Sequence, residues 1–306
     1  MELKQLEYFR HVAELGSFTR AATFLSVVQP VLSRQVRQLE VELGQTLFER
    51  NGRGVILTDA GSRLLEHTRG ILTQVGRARQ ELDEQRNGDS GHLTLGLPPT
   101  LGRSMTVPLV KAFARQLPNA RLATVEGLSA YILEWLNNGR VDCALVYNAP
   151  ASPSVDLQPL LDEQLFFITP LPLPAERKKS KSVPLAELGN YPLIIPSRPH
   201  AMRMSVENAL AAVGVTIKVA YEIECIPAII DLVRQRHGYA VLPLNAVKST
   251  PWAAEVLVKP VLAPTLKTSL SIATSAQRPK SPLLRKAMDV VRDIVRREIR
   301  SAEVLT

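Results

Sequence analysis

The apolar pattern of this chain changes period at one short stretch, NGDSG at residues 87–91, and that change limits the architectures open to it. Before it, apolar residues recur at three- and four-residue spacings, the rhythm of helices. After it, β-prone runs alternate with helical stretches: HLTLGL, RLATVEG and DCALVYN, with helices over 104–117 and 129–138 between them. Such βαβαβ alternation implies a parallel sheet with helices on its faces. A second set comes next, with strands at LFFIT and PLIIP, a helix over 202–213, IKVAYEI, a helix over 227–235 and GYAVLP. SLSIATS and a helix from Pro282 to about Arg300 lead to the end. The small, polar, glycine-flanked junction itself is a linker by composition. The expected fold class is α/β overall: a helical N-terminal part, then two α/β lobes crossed by two connections, near Leu161 and Thr265. Residues 170–190, rich in Pro and Lys, are expected to be an exposed connection. Small ligands sit between such lobes, outside the carboxyl ends of the strands.

The N-terminal part is organised around Ser17–Leu43. A helix over Leu3–Leu15 carries Leu6, Phe9, Val12 and Ala13 at helical spacing; Gly16 stops it, and Ser17 is suited to cap the next. In that second helix Phe18, Ala21, Ala22 and Leu25 face one way, and the small Ala21–Ala22 pair permits close helix approach. Gln29-Pro30 opens a third helix, with proline at a first-turn position. Leu32, Val36, Leu39 and Leu43 form its core stripe. Pro30, Ser33, Arg34 and Arg37 gather opposite, with Gln29 at the entry and no carboxylate among them. Hydroxyl, amide and guanidinium groups on the first turns of a helix can read base edges and phosphates in a major groove. An ordinary solvated helix face accounts for the same residues equally well.

The residues after this helix tip the balance. Leu47-Phe48 and Val55-Ile56-Leu57 flank the turn-rich Asn51-Gly52-Arg53-Gly54, predicting a two-stranded ribbon with Arg50 and Arg53 near its tip. Such a wing can lay arginines along a phosphate backbone or into a minor groove; a plain surface hairpin is the alternative. Thr58 is placed to cap a long helix from Asp59 to about Arg86. Leu65, Thr68, Leu72, Val75 and Leu82 form a heptad-like seam on it, interrupted at Arg79. That seam suits a second copy of the chain, or alternatively the helix's own domain.

Charge does not by itself argue for nucleic acid. The chain of 306 residues has a net charge of +8, yet residues 1–90 hold twelve basic and twelve acidic side chains. The excess lies in Arg177, Lys178, Lys179 and Lys181 and in the stretch from Arg278 to Arg300. No run approaches the ~20 apolar residues of a membrane span, and Met1-Glu2 does not begin a secretory signal. A cytoplasmic protein is expected. Its two cysteines, Cys143 and Cys225, make no zinc or redox motif. The five histidines are scattered, and GxSxG, Walker A and dinucleotide fingerprints are absent, so neither an enzyme nor a metal or cofactor is expected.

Residues 1–65 resemble the winged helix-turn-helix of LysR-type transcriptional regulators. The resemblance is carried by Leu3, Leu6 and Phe9, then GSFTRAA at 16–22, Leu25, Gln29-Pro30, Ser33 and Leu39-Glu40. LG at 43–44, LFER at 47–50 and LTDAG at 57–61 continue it in fixed order. Residues 92 to about 300 look like the family's two-lobed, periplasmic-binding-protein-like effector domain. GLPPTLGRSMTVPL and VEGLSAYILEWLNNGRVDCALVYN are most similar to the nitrogen-assimilation-control branch. The implied organisation is a DNA-binding head over 1–58, a dimerising linker helix and hinge over 59–90, and an effector-binding domain over 91–306. Lobe I would hold 91–161 and 266–306, and lobe II 162–265.

The resemblance implies a homodimer that assembles into a tetramer on promoter DNA, a small organic acid or nitrogen metabolite as effector, and RNA polymerase as partner of an activator. The positions matching the family's DNA-reading elements are Thr19, Gln29, Pro30, Ser33, Arg34, Arg37, Arg50 and Arg53. Those matching its effector site are Pro99, Thr100 and Leu101 after the first strand, and Ser129 at the head of the next helix. Ser197, Arg203, Cys225 and Pro227 match it from the other lobe. Thr100 and Ser129 suit a carboxylate, and Arg203 suits a counter-charge; an exposed structural arginine is the alternative. Three departures stand out: Val31 where a small Ala is usual, Arg79 in the seam, and RQRHGYAVLP at 234–243, whose His237 and Tyr239 either reshape the pocket floor or pack. A regulator without a small effector, controlled by abundance or oligomerisation, is the alternative reading.

Overall fold

The computed structural model describes residues 1–52, 54–87, 90–171 and 181–304. Arg53, Gly88 and Asp89 of the linker, and Arg177, Lys178 and Lys179 lie outside the described residues, as do the side chains of Arg50, Arg79 and Leu82. The chain divides into two compact units, Met1–Arg86 and Asn87–Thr306.

In the first unit α1 (Leu3–Leu15) ends at Gly16, whose φ of 60° is the left-handed turn that glycine adopts without strain. Ser17 Oγ accepts the Arg20 N–H at 3.3 Å and so starts α2 (Phe18–Phe24). Helix α3 (Gln29–Leu43) carries proline in its first turn and stops at the left-handed Gly44. Tyr8, Val12, Ala21, Ala22, Leu32 and Val36 form one buried cluster, and Leu6, Phe9, Leu39, Leu47 and Leu65 a second. Phe48 packs against both. The expected core stripe of α3 is one residue too long: Leu43 is 38% exposed, because the helix has run past its neighbours by its last turn.

The wing pairs β1 (Phe48–Arg50) antiparallel with β2 (Val55–Leu57). Three contacts fix its base. Glu40 of α3 accepts the Leu47 N–H at 2.8 Å. The Val55 N–H reaches Gly16 O at 3.1 Å, and a Cβ on Gly54 would lie 2.5 Å from that same oxygen. Thr58 Oγ1 accepts the Gly61 N–H at 3.0 Å and donates to Thr46 O at 2.7 Å. Thr58 thereby caps α4 (Asp59–Asn87), whose 29 residues extend about 44 Å at 1.5 Å each. On α4, Leu65 and Leu72 cover the head's own core and Thr68 is fully buried, so the first half of the heptad-like seam is occupied within the head.

The second unit is built on a mixed sheet in the order β4-β3-β5-β12-β6-β11-β7, with β10 paired to β6 off that path. Strands β3 (Gly91–Leu97), β4 (Ala120–Glu126) and β5 (Cys143–Tyr147) are parallel, as the alternation implies. Beside them β12 (Lys267–Ser275) and β6 (Val155–Pro170) run antiparallel. Helices α5 (Pro99–Gln116) and α10 (Pro282–Val304) cover one face through Leu101, Met105, Leu109, Phe113, Val291 and Val295. Helix α6 (Ser129–Asn137) covers the other through Ile132 and Leu136.

Strand β6 joins this part to the next. Its residues 155–164 pair with β12; Leu165–Ile168 pair with β10 (Ala240–Pro243), and Phe166–Pro170 with β11 (Val256–Leu262). The chain therefore passes from one lobe to the other inside one continuous strand and returns between Leu262 and Lys267. The second lobe adds β7 (Val183–Pro184), parallel to β11, and the parallel pair β8 (Pro192–Ile195) and β9 (Lys218–Glu222). It also carries α7 (Ala201–Ala212), α8 (Ile226–Arg234) and α9 (Leu244–Lys248). The expected exposed connection over 170–190 is corrected over its described part: Val183, Leu185 and Leu188 are core residues of this lobe. Tyr239 packs there too, its ring stacked on Phe167 at 5.3 Å.

Candidate functional site

The first turns of α3 assemble an exposed polar face over a buried apolar one. Leu32, Val36 and Leu39 are 0–1% exposed, which fixes the rotation of the helix on its domain. That rotation leaves Gln29, Pro30, Arg34 and Arg37 exposed and Ser33 half-buried. Thr19 is exposed in the first turn of α2. From Val28 to Gln38 the chain contains no acidic residue, so nothing on this stretch repels a phosphate. Glu40, the next acid along α3, is held back by the Leu47 N–H. The backbone at Arg50 ends β1 opposite Val55, on the side of the ribbon leading to its tip.

In the second unit the residues expected at a ligand site sit at the carboxyl ends of lobe I strands. Pro99, Thr100 and Leu101 follow β3 as the first turn of α5, which starts five residues earlier than its sequence suggests. Pro98-Pro99 reads as a helix breaker but here sits at the cap and first position, where a missing N–H costs nothing. Thr100 is 2% exposed and its hydroxyl has no hydrogen-bond partner. Ser129, the first residue of α6, accepts the Tyr147 N–H at 3.0 Å. Tyr147 donates its phenol to Glu163 Oε2 at 2.6 Å. Burial, then the adjacent carboxylate, pushes this phenol well above its ordinary value of 10.0. Thr100 and Asn245 stand beside it and oppose the shift. Neither completes a hydrogen bond of good geometry, and Asn245 is buried with both amide atoms unpartnered. Thr100, Glu163 and, from lobe II, Asn245 thus gather at the Tyr147 phenol, while Ser129 holds the backbone N–H of the same residue.

The lobe II candidates do different work. Arg203 is not a free counter-charge: 7% exposed, it pairs with Glu207 and Glu222 at 2.8 Å each and donates to Pro196 O at 3.1 Å. It fixes the loop ahead of α7. Ser197 is half-buried in that loop and its carbonyl accepts the His200 N–H at 3.1 Å. His200 caps α7 by accepting the Met202 N–H on Nδ1 at 3.2 Å, and burial holds its ring below the ordinary 6.5. Cys225 is exposed at the cap of α8, and Pro227 lies half-buried in its first turn.

Two contacts between the lobes involve residues outside the expected site positions. Asn148 Nδ2 donates to Ser205 Oγ at 2.6 Å, and Arg103 Nε donates to Ser249 O at 2.7 Å. Asn148 directly follows DCALVY, at the carboxyl end of β5, and that position was the available signal.

Among the described residues no group of three or more His, Cys, Asp or Glu side chains could hold a metal ion, and no helix is long and apolar enough to cross a membrane. Residues 3–62 match the bacterial regulatory helix-turn-helix family described as lysR, and residues 86–296 match the LysR substrate binding domain. The chain is 32% identical to the nitrogen assimilation regulatory protein nac of Escherichia coli over 96% of its own length and 95% of that protein. It is 30% identical to the protein of the same name from Klebsiella aerogenes, covering 97% and 96%. Among solved structures, full-length CbnR complexed with its target DNA is similar at a TM-score of 0.76 and 25% identity, covering 96% of this chain and all of that one. Head and effector unit together place this chain in the LysR family of DNA-binding transcriptional regulators, which are not enzymes.

Proposed function

We propose that this regulator grips promoter DNA as a dimer of dimers in the cytoplasm, reading bases with Gln29, Ser33 and Arg34 while Thr19, Arg37, Arg50 and Arg53 position the backbone. Pro30 shapes the first turn and touches the groove floor. The observation that carries this reading is the acid-free exposed face of α3 above a fully buried stripe. Two such helices in a dimer must stand about 34 Å apart, or a multiple of that, along one face of the duplex. Arg34→Ala is expected to weaken specific binding by about 1–3 kcal/mol and relax one operator position. Equal loss on every sequence, read by electrophoretic mobility shift, would move Arg34 to backbone positioning.

A small anionic metabolite, an organic acid or a nitrogen compound, is proposed as effector at Pro99, Thr100, Leu101 and Ser129, with Ser197, Cys225 and Pro227 facing them from lobe II. The N-terminus of α6 offers first-turn N–H groups to an anion, α5 adds only that of Thr100 because Pro98 and Pro99 have none, and the buried Thr100 hydroxyl supports a missing polar partner there. RNA polymerase is the proposed partner if the output is activation. A thermal-shift series on the full chain with small organic acids and nitrogen metabolites tests this, because a bound ligand raises the midpoint by mass action. No shift with any compound favours the second reading, control by abundance or oligomerisation. The Asn148–Ser205 and Arg103–Ser249 bonds speak for that reading, since they tie the lobes without a ligand.

A further inference from the structure

We propose that Val28 and Val31 read thymine 5-methyl groups in the major groove, which makes them specificity-determining residues of the reading helix. This rests on the DNA-reading role of α3 and adds an apolar component to its polar face. Val28 is 66% exposed and Val31 36% exposed, while Leu32, the next residue on, is 0% exposed. Single exposed aliphatic side chains are common and need no explanation. Their position is what separates these two. Val28 immediately precedes Gln29, and Val31 stands three residues before Arg34, the spacing that makes side chains neighbours on a helix surface.

The start of α3 supplies a second, independent observation. Val28 is the N-cap residue, with φ −76° and ψ 134°, the extended geometry from which Ser, Thr, Asn or Asp accepts a first-turn N–H. Valine cannot, and no side chain caps this helix. Helix α2, the preceding helix in the chain, has its serine cap. Helices α5, α6, α8 and α9 also start without a side-chain cap; what sets α3 apart is that its uncapped start leaves an extended, exposed valine beside the polar reading face. Thymine's 5-methyl is the apolar group on the major-groove edges of the base pairs, and a branched aliphatic side chain is its complement. Gln29 and Arg34 answer the hydrogen-bonding edges beside it.

The test uses the full chain and an operator selected from random duplex DNA. Selected half-sites are expected to place thymines where the two valines reach. Replacing those thymines one at a time with deoxyuridine removes only the methyl, and the expected loss is about fourfold in affinity per half-site, the effect of burying one such group. Val31→Ser and Val28→Ser are each expected to bind thymine and uracil operators equally at one of the positions. Val31→Thr, which keeps one methyl, should retain part of the discrimination and guards against a variant that fails to fold. Uracil tolerated at every position overturns the proposal, as does full discrimination in the serine variants. A chain that prefers no duplex sequence at all would overturn the base-reading role itself, a failure distinct from one confined to uracil.

Discussion

The bond between Asn148 and Ser205 allows a quantitative test of how the two lobes are held. Asn148 has a left-handed backbone, φ 46°, which asparagine tolerates better than other residues with a Cβ. Its Oδ1 accepts the Ser269 N–H at 2.8 Å, and its Nδ2 reaches Ser205 Oγ at 2.6 Å. Ser205 Oγ in turn donates to Ala201 O within α7. Asn148 is exposed and Ser205 half-buried, so the link should contribute about 0.5–1 kcal/mol, the lower part of the range for a hydrogen bond. Asn148→Ala loses the link and the Ser269 bond and places alanine in the left-handed region, for a total of about 2–4 kcal/mol. Asn148→Gly loses the link without that backbone cost. The cycle of Asn148→Gly and Ser205→Ala then isolates the pair, with an expected coupling of about 0.5–1 kcal/mol. Urea unfolding followed by tryptophan fluorescence reads it cleanly, because both tryptophans, Trp135 and Trp252, lie in the effector unit. Additive single substitutions would refute a lobe-to-lobe link.

Three further outcomes are expected from the packing. Gly61→Ala puts a Cβ 2.2 Å from Leu47 O and 2.9 Å from Leu57, so it should destabilise the head by about 2–3 kcal/mol and abolish DNA binding, while tryptophan fluorescence of the effector unit stays unchanged. Thr68→Val should stabilise the head by about 1 kcal/mol in circular-dichroism melts, because the Thr68 hydroxyl is fully buried without a partner; a loss of stability would show that it bonds elsewhere. His200, kept neutral by burial against the pull of Glu224, binds its extra proton more readily when unfolded. The effector unit should therefore hold its full share of stability above pH 6.5 and lose it as pH falls below that value. His200→Asn, which retains an acceptor for the Met202 N–H, should flatten this slope in melts between pH 5 and 7.5.

What the sequence made legible was local. Gly16 and Ser17 end one helix and start the next by backbone conformation and a side-chain cap, so their positions read directly from residue type. The first half of β6 did not, since Asp156, Gln158, Pro159, Asp162 and Glu163 break any strand pattern. They are tolerated because β12 supplies the pairing from more than a hundred residues away. Strand β11 hides for the same reason behind Lys259 and Pro260. The start of α5 hides behind Pro98-Pro99, whose effect reverses with position in the helix. The polar group around Tyr147 was half visible. Thr100 and Ser129 came from the family resemblance, as positions matching its effector site, but Glu163 and Asn245 reach the Tyr147 phenol through tertiary packing that no spacing records.

With twelve acids and twelve bases, the first 90 residues offer DNA no net excess of positive charge. The structure answers by assigning the acids elsewhere. Glu40 accepts the Leu47 N–H, Glu42 meets the N-terminal amine, Glu14 lies 3.4 Å from Arg69, and Asp59 sits in the first turn of α4, where it complements the helix dipole. Arg34 and Arg37 remain on a stretch without any carboxylate. Local field at the DNA is set by the charges within about a Debye length, roughly 8–10 Å at ordinary salt, and more distant acids are screened from it. A neutral head can therefore bind a polyanion, provided its charges are sorted by face. The consequence is a salt dependence governed by the few arginines that reach phosphate. Each one removed should lower the slope of log affinity against log salt by about 1, whatever the net charge of the chain. A slope that followed net charge, changing equally when an acid-paired arginine of the head such as Arg69 is neutralised, would contradict this sorting.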